Sequence, residues 1–140
     1  MQALLLSGSP STQNRQGYIS EIIVAGNALN HTQTDITFAM LAHLSHQYKK
    51  PESAGQWLTW ICPTGLGKEA LQRFDFDVLG LRILQPKQAP EIPRLMERAL
   101  AAGNSHTVVV HCQAISHKRL ARLERAASQG RCNGLIIRPQ

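Results

Sequence analysis

Apolar and polar residues along this chain form two patterns that alternate, one typical of strands and one typical of helices. Runs with the length and composition of strands lie at 18–24, 57–62, 81–85, 106–111 and 133–138. Between these runs, apolar residues recur at helical spacing over 34–48, 68–74, 91–102 and 116–129. Ser116 is placed to cap the last of these helices, and Gly130 is expected to end it. The pattern therefore predicts strands and helices in strict alternation.

The first predicted helix, 34–48, has a wide apolar face. One apolar line runs through Ile36, Met40 and Leu44, and a second passes through Leu41 and Tyr48. Because two neighbouring lines are apolar, we expect this helix to be well buried.

Regular alternation of strands and helices is typical of layered α/β proteins. We expect a single three-layer α/β domain with a mainly parallel sheet and helices on both faces. The apolar centre of the strand at 106–111 agrees, because strands buried on both faces read as continuous apolar runs. Residues 1–17 are rich in Ser, Gln, Pro and Gly without a sustained period, which predicts a mobile N-terminal arm before a domain at 18–140.

Both tryptophans of the chain lie on the strand predicted at 57–62. Since they are an odd number of positions apart, Trp57 and Trp60 face opposite sides of the sheet. One of them is expected in the core. Two interpretations remain open for the other: it is covered by a helix, or it is an exposed anchor for a protein partner, where tryptophan and arginine are the usual hot-spot residues.

The segment after this strand has the layout of a phosphate-binding loop, with a strand, a tight turn and a helix start at Gly67-Lys68. The pattern requires glycine at position 62 and a hydroxyl residue at 69, but Cys62 and Glu69 stand there. The best apolar strand ends in His111 rather than in a carboxylate that could hold Mg²⁺. The sequence therefore argues against nucleotide hydrolysis, and we expect no catalytic residue, no cofactor and no small-molecule substrate.

In a parallel sheet, the carboxyl ends of the strands would collect Cys62, His111, Cys112 and Arg138. Their spacing matches no established ligand pattern, and free cysteine is usually buried, so we expect no metal site. Three cysteines without close pairing suit a reducing compartment. Since no apolar run approaches the ~20 residues of a membrane span and the start lacks the basic residues of a secretory signal, we expect a cytoplasmic protein without a membrane partner.

Positive charge is concentrated near the C-terminus. The segment from residue 116 to 138 contains six basic residues and one acidic residue, Glu124. Its net charge is therefore +5, out of +6 for the whole chain. The helix at 116–129 contributes Lys118, Arg119, Arg122 and Arg125. Three interpretations remain open: a solvated helix face, a surface for an acidic partner, or a surface that binds nucleic acid in a DNA-associated accessory protein of the DNA-damage response.

Four blocks of the sequence stand out, at 18–24, 56–63 (QWLTWICP), 96–109 (with RALAAGN) and 133–139 (NGLIIRP). In order and spacing these blocks resemble the SulA family, the SOS-induced cell-division inhibitors of bacteria. The resemblance extends over about residues 18–139. It implies a RecA-like α/β domain without a working nucleotide site, in agreement with the altered phosphate loop.

The resemblance also implies a function. Members of the family bind the tubulin-like GTPase FtsZ and prevent its polymerisation, so that no septum forms after DNA damage; they are not enzymes, and homodimers and clearance by the Lon protease are implied. The positions that are sensitive in the family correspond to Gln56, Ile61, Ala70 or Leu71, and Arg82. The expected contact with FtsZ is formed or supported by those residues together with Trp57, Trp60 and Lys68.

This sequence departs from the family in three respects. Gln56 and Ala70 replace an arginine and a tryptophan of some relatives, and the helix at 116–129 is basic where some relatives are acidic. The sequence ends at Gln140 without the longer tail that carries Lon recognition in some members. We therefore do not expect degradation through such a tail.

Overall fold

The computed structural model describes residues 17–24, 31–49, 56–61, 63, 66–112 and 115–139. Strands and helices alternate in this part of the chain: β1 (Ile19–Val24), α1 (His31–Ser45), β2 (Trp57–Ile61), α2 (Lys68–Arg73), β3 (Leu81–Leu84), α3 (Ile92–Ala102), β4 (Ser105–His111), α4 (His117–Gly130) and β5 (Asn133–Pro139). Short 3-10 turns lie at Gln47–Lys49, Val78–Gly80 and Ala89–Glu91. Apart from Gly17, the predicted N-terminal arm lies outside the described residues, so its mobility stays a prediction.

The five strands form one sheet in the order β1-β5-β4-β2-β3, and every neighbouring pair is parallel. β4 lies at the centre, whereas β1 and β3 are the edges. The predicted parallel sheet is therefore confirmed. Within the described part of the chain no further strand pairs with β3, and this edge matters for the site because an edge strand presents unpaired backbone groups.

Apolar cores lie on both faces of the sheet, as predicted for a three-layer domain. One core packs α1 and α2 on the sheet and is built around Phe38, Leu41, Leu58, Trp60, Phe76 and Val109. The other packs α3 and α4 on the opposite face and is built around Ile61, Met96, Leu100, Val108, Leu123 and Ile136. No helix in the described part of the chain is long and apolar enough to cross a membrane.

The two tryptophans of β2 face opposite sides of the sheet, as the spacing predicts. Trp60 has no accessible surface and packs on the α1–α2 side, with its ring edge-on to Phe38 (centroids 5.7 Å apart) and stacked on Phe76 (6.0 Å). Trp57 is half-buried at the start of the strand. Of the two tryptophans, therefore, only Trp57 presents surface to a partner.

The ends of α1 and α4 differ from the prediction. α1 begins at His31 and ends at Ser45, where a 3-10 turn replaces the last predicted helical turn. Ser116 caps α4 by accepting from the Arg119 N–H (3.1 Å), as expected, but Gly130 is still helical. Arg131 closes the helix with a left-handed φ of 51°. The prediction that Gly130 ends the helix is wrong.

Gly130 has another role, which explains its place inside the helix. α3 and α4 both connect parallel strands over the same face, so they run side by side in the same direction. A Cβ at Gly130 would fall on the carbonyl oxygen of Leu100 in α3. Glycine at this position therefore lets the two helices approach closely at their carboxyl ends.

Candidate partner-binding site

An arginine on the edge strand β3 joins three strands near their amino ends. The Arg82 Nε donates to Thr59 Oγ1 (3.2 Å), and its Nη2 donates to Asn104 Oδ1 (3.1 Å) and Ser105 Oγ (3.2 Å). The guanidinium carbon lies 5.8 Å from the centroid of the Trp57 ring, which gives a cation–π contact. Arg82 is therefore held in one orientation while remaining half-buried.

The hydrogen-bond partners of Arg82 are themselves fixed. Thr59 and Ser105 have no accessible surface, and their hydroxyl oxygens are 2.7 Å apart. The Trp57 N–H donates to the Asn104 carbonyl (3.1 Å), so the start of β2 is tied to the turn between α3 and β4. A preorganised group of this kind loses little conformational entropy when a partner binds.

Gln56 completes this group, which we call the amino-end network: Gln56, Trp57, Thr59, Arg82, Asn104 and Ser105. Gln56 Nε2 donates to the Gly103 carbonyl (3.2 Å), and Gly103 ends α3 with a φ of 80°. The structure thus brings together three of the residues expected from the family resemblance, namely Gln56, Trp57 and Arg82. Sequence reasoning missed Thr59, Asn104 and Ser105.

Two further expected residues lie in the core. Trp60 and Ile61 have no accessible surface, and they face the α1–α2 core and the α3–α4 core, respectively. Side chains without accessible surface cannot touch a partner in this conformation. Their role in the site is to hold β2 in place between the two helix layers.

The remaining expected residues lie on α2 and are not part of the amino-end network. Lys68 is exposed at the start of α2, whereas Ala70 and Leu71 are half-buried against the α1–α2 core. Arg82 is paired with Thr59 and faces the other side of the sheet. The residues of α2 and the amino-end network therefore flank strand β3 from opposite faces of the sheet.

Exposed apolar side chains are concentrated next to Arg82. Among the described residues, six large apolar side chains are exposed, and three of them lie within the short stretch that enters and forms β3. These are Val78 (58% exposed), Leu79 (73%) and Ile83 (40%), which we call the β3 edge. A cluster of this kind beside the edge strand of the described sheet indicates an interaction surface.

The turn that carries Val78 and Leu79 is firmly anchored. The Asp77 carboxylate accepts from the Leu79 N–H (3.1 Å) and pairs with Lys49 Nζ (3.1 Å), and the Asp77 N–H donates to Ser45 Oγ (2.8 Å). Burial acts to raise the pKa of Asp77, but the hydrogen bonds from Lys49, Leu79 and Tyr48 outweigh it and the pKa is lowered. The apolar residues of the turn are thus presented by an ordered segment.

The opposite, carboxyl end of the sheet has no comparable surface in the described residues. The His111 ring stacks on Trp60 (centroids 5.8 Å apart), and burial lowers the pKa of His111. Arg138 donates to the Glu21 carboxylate (3.2 Å). Cys62 lies outside the described residues, and within them no three metal-ligating side chains come together.

Known proteins resemble the chain in sequence and in fold. The cell division inhibitor SulA of Photorhabdus laumondii is 30% identical over 134 residues, which cover 91% of this chain and 73% of that protein. SulA of Pseudomonas aeruginosa is 33% identical over 100 residues, covering 71% and 62% of the two chains. The crystal structure of SulA from Pseudomonas aeruginosa matches 87% of this chain and 98% of its own with a TM-score of 0.75 and 29% identity. No model of an established protein family matches.

The fold and the comparisons together define the class: a single α/β domain with an all-parallel sheet covered by helices on both faces, related to inhibitors of bacterial cell division. Within that class, the chain belongs to the SulA family. The predicted family and fold are both confirmed.

Proposed function

We propose that this protein inhibits cell division in the SOS response by binding FtsZ and preventing its polymerisation. A filament grows only if each subunit contacts the next, so an inhibitor needs to cover only one assembly surface of FtsZ. GTP hydrolysis would fall as a consequence, because the active site of tubulin-like GTPases is completed by the neighbouring subunit. The inhibitor itself needs no catalytic residue, in agreement with the altered phosphate loop.

The observation that carries this proposal is the position of the β3 edge beside Arg82 and Trp57. Val78 and Leu79 are more than half exposed, and full burial of such a side chain contributes about 1.5 to 3 kcal/mol. Arginine and tryptophan are enriched among the residues that dominate interface energies. The combination of an apolar centre with a fixed arginine fits a protein partner.

In this proposal FtsZ docks on the edge of the sheet rather than on either face. Trp57, Arg82 and the β3 edge form the contact, and Gln56 fixes the start of β2. Lys68 lies at the rim on the α2 side. Trp60, Ile61, Ala70 and Leu71 support the contact by packing beneath it.

We also propose that the protein acts as a homodimer in the cytoplasm. The family resemblance supports this form. Light scattering coupled to size-exclusion chromatography measures the molar mass directly, and a monomer at the concentrations that block FtsZ assembly would remove the dimer from the proposal.

Assembly of purified FtsZ with GTP, followed by light scattering, tests the proposal. We expect the protein to suppress assembly when it reaches the concentration of FtsZ. Leu79→Asp places a charge at the centre of the contact, and we expect it to weaken inhibition by about tenfold or more. Unchanged assembly at an excess of the wild-type protein would refute the proposed function.

Ile36→Asp is the matched control for Leu79→Asp. Ile36 is 61% exposed, but it lies on α1 rather than next to β3. Because the change is chemically the same at a remote exposed site, we expect inhibition to stay within about twofold of the wild type. Equal loss in both variants would assign the effect to misfolding or solubility and would contradict the proposed contact.

A further inference from the structure

The two helices on one face of the sheet share a strongly basic outer surface. α3 and α4 together contain six basic residues and two acidic residues, so they carry a net charge of +4 of the +6 for the whole chain. The basic residues are Arg94, Arg98, Lys118, Arg119, Arg122 and Arg125. All except the half-buried Arg119 are exposed.

Helical periodicity places these side chains in two rows. Arg94 and Arg98 are four residues apart on α3, opposite the buried line of that helix. Lys118, Arg122 and Arg125 follow one another at spacings of four and three residues on α4 and therefore form a second row. Successive charges in a row are separated by about 5 to 6 Å along the helix axis.

The two rows form one surface, because an ion pair joins them. Arg122 Nη2 donates to the Glu97 carboxylate (3.3 Å), so α3 and α4 contact each other at this level. Packed helices lie about 8 to 10 Å apart. Glu124 lies on the side of α4 that is turned away from Arg122. The acidic residues next to the two rows are therefore Glu97, which pairs with Arg122, and the exposed N-cap residue Glu91 at the amino end of α3.

The surface lacks the apolar anchors of a protein interface. Of the large apolar side chains that are exposed in the described part of the chain, none lies on α3 or α4. Protein partners obtain most of their affinity from buried aromatic and apolar residues, whereas binding to phosphate backbones is largely electrostatic. Five of the six basic residues are arginines, whose planar group binds phosphate in a bidentate manner.

We propose that the outer face of α3 and α4 binds the phosphate backbone of duplex nucleic acid without reading its sequence. Rows of charges about one helix diameter apart match the separation of phosphate strands across a groove, which is roughly 6 to 12 Å. No aromatic side chain on either helix is available to stack on an unpaired base. The duplex backbone is therefore the occupant that fits this surface.

Fluorescence anisotropy with a labelled duplex DNA of arbitrary sequence, recorded over a series of salt concentrations, tests the proposal. We expect micromolar or tighter binding at low salt that weakens steeply as salt increases. The double variant Arg94→Gln/Arg98→Gln should lower the slope of log K against log salt by roughly 1.8, since each phosphate contact contributes about 0.9.

The matched control removes the same charge elsewhere. Arg73 and Lys87 are exposed and lie outside α3, α4 and the proposed FtsZ contact, so Arg73→Gln/Lys87→Gln gives a chain of equal net charge. If the surface binds DNA, the control keeps the wild-type slope. Absence of binding at low salt, or equal slopes for the two double variants, would overturn the proposal.

Polyglutamate as a competitor separates nucleic acid from an acidic protein. We expect polyglutamate to displace the duplex only at a large excess of charge, because its carboxylates lack the spacing of the phosphate strands. Displacement at equal charge would assign the surface to an acidic protein and overturn the proposal. The DNA-binding surface is independent of the proposed function, since Arg94 and Arg98 lie outside the proposed FtsZ contact.

Discussion

Arg82 serves both the fold and the proposed contact. Its guanidinium group satisfies Thr59, Asn104 and Ser105, and its outer face stacks with Trp57. Each neutral acceptor contributes about 1 kcal/mol or more when it is bonded to a charged donor, but partial exposure reduces this value. An arginine held in this way is positioned before the partner arrives.

We therefore expect Arg82→Ala to weaken inhibition of FtsZ assembly by about tenfold and to lower the free energy of unfolding by about 1 to 2 kcal/mol. Arg82→Lys keeps the positive charge but lacks the planar guanidinium group, so it should restore little of the inhibition or of the free energy of unfolding. Inhibition assays and urea unfolding measure the two effects. As a control, Arg98→Ala removes an exposed arginine of α3 and should change the free energy of unfolding by less than about 0.5 kcal/mol. Full recovery by Arg82→Lys would show that charge alone matters.

His106 predicts a dependence of stability on pH. Its Nδ1 lies 2.9 Å from Thr107 Oγ1, its Nε2 is buried without a partner in the described residues, and burial lowers its pKa from 6.5 to about 4. As the pH falls below about 6.5, His106 becomes protonated in the unfolded chain but stays neutral in the folded protein. Stability is therefore lost between about pH 6.5 and pH 4 and levels off below that range. The ring is partly exposed, so we expect a loss on the order of 1 to 2 kcal/mol.

Urea unfolding at pH 7 and pH 5 measures this effect. His106→Gln should reduce the loss of stability on acidification, although His111, whose pKa is also lowered by burial, leaves part of it in place. An identical pH dependence in the wild type and His106→Gln would contradict the role given to burial.

Some of the residue-scale picture could be predicted from sequence. The alternation of side chains on a strand correctly placed Trp57 and Trp60 on opposite faces, because it depends only on local geometry. The partners of Arg82 could not be found in this way. Asn104 and Ser105 reach Arg82 only because β2 lies between β3 and β4, and the order of strands in a sheet is not a local property.

At the scale of single elements, the type of each helix and strand followed from periodicity, but the rotation of helices did not. The line through Ile36, Met40 and Leu44 was expected to face inward, yet Ile36 is 61% exposed. The buried side of α1 instead runs through Thr37, Phe38, Leu41, Ala42 and Ser45, while Met40 and Leu44 are half-buried against the α1–α2 core. Apolar residues lie on both sides of α1, so contacts with α2 and the sheet decide which side turns toward the core.

The β3 edge was missed for a related reason. Val78 and Leu79 are apolar residues of the segment between α2 and β3, and apolar side chains are more often buried than exposed. Asp77 instead caps a 3-10 turn that directs them to the surface. Apolar residues in a loop can anchor it to the core or present it to a partner, and the surrounding hydrogen bonds determine which of these occurs.

Gly130 allows a test of helix packing in which two effects have opposite signs. Helix propensity alone predicts that Gly130→Ala stabilises α4 by about 1 kcal/mol. The added Cβ, however, would fall on the Leu100 carbonyl oxygen of α3, and backbone atoms cannot move aside cheaply. We expect a net destabilisation of about 2 kcal/mol or more, measured by urea unfolding.

Gly67→Ala is the control for this substitution. A Cβ at Gly67 would meet no atom within 4 Å, and the φ of −114° is accessible to any residue. We expect a change of less than about 1 kcal/mol. Stabilisation by Gly130→Ala would mean that α3 and α4 separate easily, and the shared basic surface would then not be a rigid one.

At the scale of the whole molecule, two surfaces of different chemistry lie on different parts of one fold. The β3 edge is apolar and lies beside a fixed arginine, whereas the outer face of α3 and α4 is basic and has no exposed large apolar side chain among its described residues. Apolar burial depends weakly on salt, and phosphate binding depends on it strongly. The two activities should therefore be separable both by mutation and by ionic strength.

We expect a double dissociation between these surfaces. Leu79→Asp should weaken inhibition of FtsZ assembly and keep binding to duplex DNA, while Arg94→Gln/Arg98→Gln should weaken DNA binding and keep inhibition. Light scattering and anisotropy on the same protein preparations measure both activities, and raising the salt concentration should reduce DNA binding by about tenfold or more before it affects inhibition. If Leu79→Asp and Arg94→Gln/Arg98→Gln each lowered both activities, a single surface would serve both partners, and the separation of the β3 edge from the α3–α4 face would be wrong.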